Sequence, residues 1–243
     1  MKIVQYQKLK LSSPLKKLTK LFWTSICLIL LISISILAVP LFPNSRYYWF
    51  VASAIILLFI FAEIKYYRPL SKEIMGLFHE KESSEKITEI LKYSPDDNYI
   101  YIKNYSFSEI KTGNANGLII GPKGIIILDI RNYSGDFRVL DNGDLVRKSK
   151  GIYKLYWKNP FEKIIETKER FAGFLRKKGI DIPITPLIVL AEGKIDTAGS
   201  EIKSYITDAE NLPIYISKIP AVSNFSPELT SRIIKTLGIS YNN

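Results

Sequence analysis

Two uncharged apolar runs in the first quarter of the chain constrain its fold more than any other feature. The first, Leu21 to Phe42, carries no ionisable side chain except the thiol of Cys27, and the second opens at Tyr47-Tyr48-Trp49 and continues to Ala62. A helix of about 20 apolar residues spans the hydrocarbon core of a bilayer. The hydroxyls of Thr24, Ser25, Ser33 and Ser35 can bond back to helix carbonyls, and Pro40 falls near one end, where a break is tolerated. Tyr47, Tyr48 and Trp49 before the second run and Tyr66 and Tyr67 after it stand where interfacial aromatic belts form. The expectation is a two-helix transmembrane hairpin over about 21–42 and 47–64, within an anchor of residues 1–68.

Flanking charge sets the expected orientation. Lys2, Lys8, Lys10, Lys16, Lys17 and Lys20 precede the first run, Arg46 alone lies between the runs, and Lys65, Arg68 and Lys72 follow the second. Cytoplasmic flanks collect Lys and Arg, so both termini and the rest of the chain are expected on the cytoplasmic face of a cell membrane. A secretory signal peptide competes as a reading of the first run. Its apolar core, however, is typically about 7 to 15 residues, and Ala38-Val39-Pro40 makes a poor cleavage site. Neither run holds a buried charge of the kind that marks a transport pathway, so function is expected in the remainder.

The single cysteine, Cys27, and the single histidine, His79, leave no disulfide framework, no Ser-His-Asp or Cys-His machinery and no His-rich zinc site. Carboxylates, amides and cations must carry any chemistry. The net charge of +11 points to an anionic neighbour such as nucleic acid or a membrane surface, although excess lysine is also a solubilising device.

Helical spacing continues from Pro69 to Tyr93 with a polar HEKESSEK interruption, read as a hinge. A linker helix over 69–83 would then lead to a domain over 84–243, with Ser83 or Ser84 capping the next helix. Glu85 is either a residue of that helix's first turn or a carboxylate of the site. A strand is expected over Tyr99 to Lys103. The stretch from Asn114 to Gly135 then gives two apolar strands joined by Gly121-Pro122-Lys123-Gly124, in which proline presets φ and glycine accepts positive φ. Its second strand places Asp129 and Arg131 on one face, with Leu128 and Ile130 turned toward a core. That pair is either a site or a same-face ion pair worth at most about 1 kcal/mol. Asn142-Gly143 signals a hairpin joining Phe137–Leu140 to Leu145–Lys148. Asn159-Pro160 opens a helix reaching about Lys178, with Ile164, Ile165, Thr167, Phe171 and Phe174 as its apolar stripe. Pro186 to Ala191 is a buried strand, Ile214 to Ser217 a smaller one, and Ser226-Pro227 opens a last helix closed at Gly238.

These residues in this order resemble the NERD, or nuclease-related, domain: Asn114-Ala115-Asn116, Gly121-Pro122-Lys123-Gly124, Asp129-Ile130-Arg131, Asn132-Tyr133-Ser134-Gly135, then Trp157 with Asn159-Pro160. The resemblance covers about Ser84 to Glu192. It implies an α/β fold in which a mixed sheet is flanked by helices, a restriction-endonuclease-like domain of the PD-(D/E)XK kind, preceded here by the transmembrane hairpin. It also implies a divalent metal held by acidic residues at the sheet edge. Phosphodiester hydrolysis needs hard oxygen ligands for such a metal and a nearby cation for the phosphate.

The resemblance assigns catalytic roles to Asp129 and Arg131 and metal ligation to Glu85, Asn116 and Asp129. Three positions that matter to the chemistry depart from the family pattern. Asn116 stands where an acid is wanted, Asp129 where the acid is usually Glu, and Arg131 where the cation is usually Lys. Lys163 stands where Gln is common. Arginine cannot act as a base but grips phosphate bidentately. The implied site is a degenerate one holding Mg²⁺ or Mn²⁺ weakly. Two functions follow as expectations: a membrane-anchored, metal-dependent nuclease with an altered site, or a non-catalytic cytoplasmic module that binds nucleic acid, anionic lipid or a protein partner.

Overall fold

A computed structural model of the chain describes residues 1–5, 68–93, 98–103, 105, 116–196, 205–223 and 225–239, with isolated positions between residues 19 and 65. The expected transmembrane runs fall mostly outside the described residues, and no helix of described residues is long and apolar enough to cross a membrane. The chain divides into two compact units, one of Met1–Lys8 with Glu80–Asn243 and the other of Leu9–His79.

The first unit is built on a mixed sheet of eight strands among the described residues. Strand β4 (Gly124–Val139) organises it. Residues 124–130 of this strand are all buried, because the run Gly-Ile-Ile-Ile-Leu-Asp-Ile offers an apolar side chain to both faces. This half pairs antiparallel with β3 (Gly117–Gly121) and parallel with β7 (Ile184–Asp196). Beyond β3 lie β2 (Ile100–Lys103) and then β1 (Lys2–Gln5), which runs parallel to β2, and beyond β7 lies β8 (Ile206–Asp208). The far end of β4 carries a separate extension: Phe137–Val139 pairs with β5 (Leu145–Ser149), which pairs with β6 (Ile152–Trp157).

Helices cover both faces. Ile125 and Ile127 pack with Phe171 and Leu175 of α2 (Phe161–Lys177) and Ile233 and Ile234 of α4 (Pro227–Thr236). Ile126, Leu128 and Ile130 pack on the opposite face with Ile87 and Leu91 of α1 (Arg68–Lys92) and Leu212 and Ile216 of α3 (Leu212–Lys218). The expected α/β fold, a mixed sheet with flanking helices, is therefore present. Truncating Ile127 would open a cavity between the sheet and α2, at a cost of about 2 to 5 kcal/mol.

Five local expectations are corrected. The polar HEKESSEK stretch does not break the chain: α1 is continuous through it. Ser83 and Ser84 face inward instead of capping, and the Thr88 hydroxyl donates to the Ser84 carbonyl at 2.6 Å, which satisfies a polar side chain without ending the helix. Ile214–Ser217 is helix, not strand. The buried pair Leu212 and Ile216 is spaced four apart, and the Asp208 carboxylate accepts from the Asn211 backbone N–H at 2.9 Å, starting the turn. Asn159 does not cap α2, which begins at Phe161. It takes a left-handed conformation (φ 39°) and its N–H donates to Asp144 at 3.0 Å, docking the Asn142-Gly143 turn. Ile165 is 37% exposed and leaves the apolar stripe of α2, where Leu175 is buried instead.

Three strands have no counterpart in the sequence reading: β1, β6 and the three-residue β8. β1 lies before the apolar runs yet completes the sheet. β6 follows a tight turn at Lys150-Gly151 whose φ values of 52° and 82° are those of a two-residue hairpin loop.

Candidate functional site

Alternation along β4 turns Asp129 to the α2 side of the sheet while its neighbours Leu128 and Ile130 fill the α1 side. Asp129 is only 5% exposed. Arg131 follows on the same face, and its Nη2–H donates to Asp129 Oδ2 at 2.8 Å. Arg131 Nε also sits 2.8 Å from Oδ1, but without the direction of a hydrogen bond, so both atoms keep bonding capacity. The guanidinium lies over the Trp157 ring, 5.1 Å from its centroid. Tyr133 in turn packs edge-on against Trp157 and Tyr156. The pairing of β4 with β7 shifts register between Arg131 and Ser134, an irregularity of the kind that re-aims side chains beside functional sites.

Asn116 stands one residue beyond the Gly117–Leu128 pair, opposite Asp129, and its N–H donates to the Leu128 carbonyl at 2.9 Å. Its Nδ2 donates to Glu80 Oε1 at 3.3 Å, while its Oδ1 is buried without a partner. Gly117 is required beside it, since a Cβ there would come within 2.8 Å of the Tyr101 ring. Among the described residues, the buried side-chain polar atoms without a hydrogen-bond partner are Ser84 Oγ, Tyr101 Oη, Asn116 Oδ1, Asp129 Oδ1 and Arg131 Nε. Three belong to this cluster. Ser84 lies one turn along α1 from Glu80, and Tyr101 rests on Gly117. Unsatisfied polar groups concentrated in one place are a mark of function more than of packing.

Burial raises the Asp129 carboxyl above the usual range, opposed by Arg131 and Lys163 and reinforced by Glu80. Burial raises Glu80 as well, opposed by its bond from Asn116 and by the Arg131 charge. These couplings define the electrostatic cluster: two acids, Glu80 and Asp129, and two cations, Arg131 and Lys163.

Of the residues singled out from the sequence, Asn116, Asp129 and Arg131 come together. Glu85 does not join them. It is 60% exposed at its side chain and pairs with Lys81 at 3.8 Å, because five residues of α-helix turn it about 140° away from Glu80. The acid that α1 does contribute is Glu80, hidden in the stretch read as a hinge. A signal for it existed: Glu80, Ser83, Ser84, Ile87 and Leu91 follow helical spacing, so Glu80, itself half-buried, stands at the end of the buried stripe. His79 is exposed.

The donor set fits a resident divalent cation poorly. Asp129 accepts a hydrogen bond from Arg131 at Oδ2 and has its Oδ1 in charge contact with the same guanidinium, Glu80 Oε1 accepts from Asn116, and the four charges sum to zero. Mg²⁺ surrenders its water reluctantly, and its affinity rises with the negative charge of its ligands. Among the described residues no group of three or more His, Cys, Asp or Glu side chains gathers at ligand spacing. The arrangement suits an anion better: the Arg131 side chain, 21% exposed, and the Lys163 charge can meet an oxyanion, with Asp129 and Trp157 fixing the guanidinium plane.

No curated protein and no solved structure matched the chain. A family model described as nuclease-related domain, NERD, matches residues 76–191. That span takes in Glu80, Asn116, Asp129, Arg131 and Lys163, so the residues of the cluster all lie in the part of the chain that is similar to a nuclease-related domain.

Proposed function

We propose that the domain is a nuclease-type fold turned to phosphodiester binding, in which the Asp129–Arg131 pair grips a nucleic-acid phosphate without a resident metal. The observation that carries this reading is the buried contact of Arg131 with Asp129 inside a cluster of zero net charge. Asp129 serves as a positioning residue that orients Arg131. Arg131 and Lys163 supply the charge that meets the phosphate, and Glu80 holds the Asn116 amide in place. The nuclease-related match supports nucleic acid as the source of that phosphate.

The test uses the full chain in detergent with labelled single- and double-stranded DNA and RNA, in EDTA and then in Mg²⁺ or Mn²⁺. Binding that persists in EDTA, weakens as salt rises and is lost in Arg131→Ala supports the proposal. Metal-dependent cleavage that disappears in Asp129→Ala contradicts it and restores the nuclease reading.

The domain is further proposed to be tethered by the two uncharged runs as transmembrane helices, with both termini cytoplasmic. Two observations support this topology. β1 precedes the runs and shares a sheet with the strands that follow them, which requires an even number of crossings between them. Within the runs, the described helical residues Phe22, Trp23, Leu30, Ile56, Leu57 and Phe61 each expose half or more of their surface, as lipid-facing side chains do. In a Cys27→Ser background, Asn44→Cys should react with a membrane-impermeant maleimide from outside intact cells, and Ser226→Cys only after permeabilisation. Labelling of both from one side would exclude the hairpin.

A further inference from the structure

The β5–β6 hairpin has a composition that neither the fold nor the site uses. From Leu145 to Phe161 the chain carries Arg147, Lys148, Lys150, Lys154 and Lys158 and no Asp or Glu. β6 is an edge strand, pairing only with β5 among the described residues. Lysines on an edge block strand addition. They do not account for Ile152, 64% exposed, Leu155, 62% exposed, and Tyr156 beside them.

Side chains of a strand alternate, so Ile152 and Leu155, three apart, leave the hairpin on opposite faces. Each has a cation on its own face: Lys154 stands two residues from Ile152, and Lys148 lies on the face of Leu155 through the pairing of Val146 with Leu155. A rigid partner laid on one face would reach only one of the two aliphatic groups. A fluid surface entered edge-first reaches both. Nucleic acid offers phosphates to the lysines but nothing to the aliphatic groups, and a second copy would set two acid-free edges against each other.

We propose that this hairpin docks edge-first on an anionic phospholipid surface, with Ile152 and Leu155 entering the boundary between headgroups and acyl chains and Lys148, Lys150, Lys154 and Lys158 meeting lipid phosphates. The proposal rests on the hairpin alone and does not depend on either reading above. Although Trp157 of β6 also stacks on Arg131, the two readings involve different side chains: Arg131 and Lys163 are not needed for lipid docking.

The test places an environment-sensitive fluorophore on Ile152→Cys or Leu155→Cys in the full chain with Cys27→Ser. Ile214→Cys, on a residue 55% exposed in α3, is the control position. Bilayers of phosphatidylcholine, with or without phosphatidylglycerol, carry spin-labelled quenching lipid. Quenching at both hairpin positions, several-fold above position 214, is expected in anionic bilayers only. It should be lost on replacing Lys148, Lys150 and Lys154 with Gln and reduced by salt. Equal quenching at hairpin and control positions overturns the proposal, as does quenching indifferent to lipid charge. Shielding of the label that requires an added oligonucleotide, or that grows with protein concentration, overturns it in favour of nucleic acid or a second copy.

Discussion

Strand β4 carries two arginine–carboxylate pairs of nearly identical chemistry. Arg131 meets Asp129 at 2.8 Å and stacks on Trp157, and Arg138 meets Asp196 at 2.8 Å and lies over Tyr153, 4.6 Å from its centroid. The difference is water. Side-chain exposure is 21% and 7% for the first pair but 46% and 41% for the second. In the exposed pair, attraction is screened and largely offset by the entropy of holding two flexible side chains, so it acts as a weak clasp between β4 and β7. In the buried pair each partner depends on the other, because removing one strands a charge in a poorly solvated place. Only there do local charges become strong enough to select a ligand.

Breaking each pair in the same way measures that difference. Asp129→Ala should cost about 3 kcal/mol in denaturant unfolding, because Arg131 is left uncompensated. Gly117→Ala comes next, at about 1 to 3 kcal/mol, since the new Cβ must push the Tyr101 ring away from the strand that holds Asn116. Asp196→Ala should cost no more than about 1 kcal/mol. Equal losses at Asp129 and Asp196 would show that burial does not separate the pairs.

A smaller effect concerns pH. Burial raises Glu80 and Asp129, so the folded chain holds protons that the unfolded chain has released. Stability contributed by these groups is therefore greatest below the ordinary carboxylate range and falls as pH rises through the raised values, levelling off above them. Glu80→Gln keeps an acceptor for Asn116 but removes the charge. It should flatten this decline between mildly acidic and neutral melts and change neutral stability by no more than about 1 kcal/mol. An unchanged slope would place the pH dependence elsewhere. The smallest change is expected of Glu85→Gln, within about 0.5 kcal/mol, since its i,i+4 partner Lys81 is a surface contact.

Much of the fold was legible because its signals are local. The Gly121-Pro122-Lys123-Gly124 turn, the all-apolar start of β4 and the Ser226-Pro227 helix start each state their structure within a few residues, and Ser226 Oγ does accept from the Leu229 N–H at 3.2 Å. The errors came where the deciding contact is distant. Whether Glu80 or Glu85 joins Asn116 depends on the rotation of α1 against the sheet, which short-range composition does not reveal. The same holds for β1, whose partner β2 is nearly a hundred residues away in sequence. Leu212–Lys218 failed differently, because a short apolar run fits strand and helix equally until its buried positions are known. In the site, Asp129 and Arg131 were readable from alternation alone, whereas their mutual engagement, which decides against a tightly held metal, was not.

The most direct test of a phosphate site without a resident metal is a Mn²⁺ titration of the full chain followed by electron paramagnetic resonance. The wild type should leave the free Mn²⁺ signal undiminished, and Asn116→Asp with Arg131→Lys, which makes the cluster net negative, should draw down one Mn²⁺ per chain. Stoichiometric binding by the wild type that is lost in Asp129→Ala would contradict the claim.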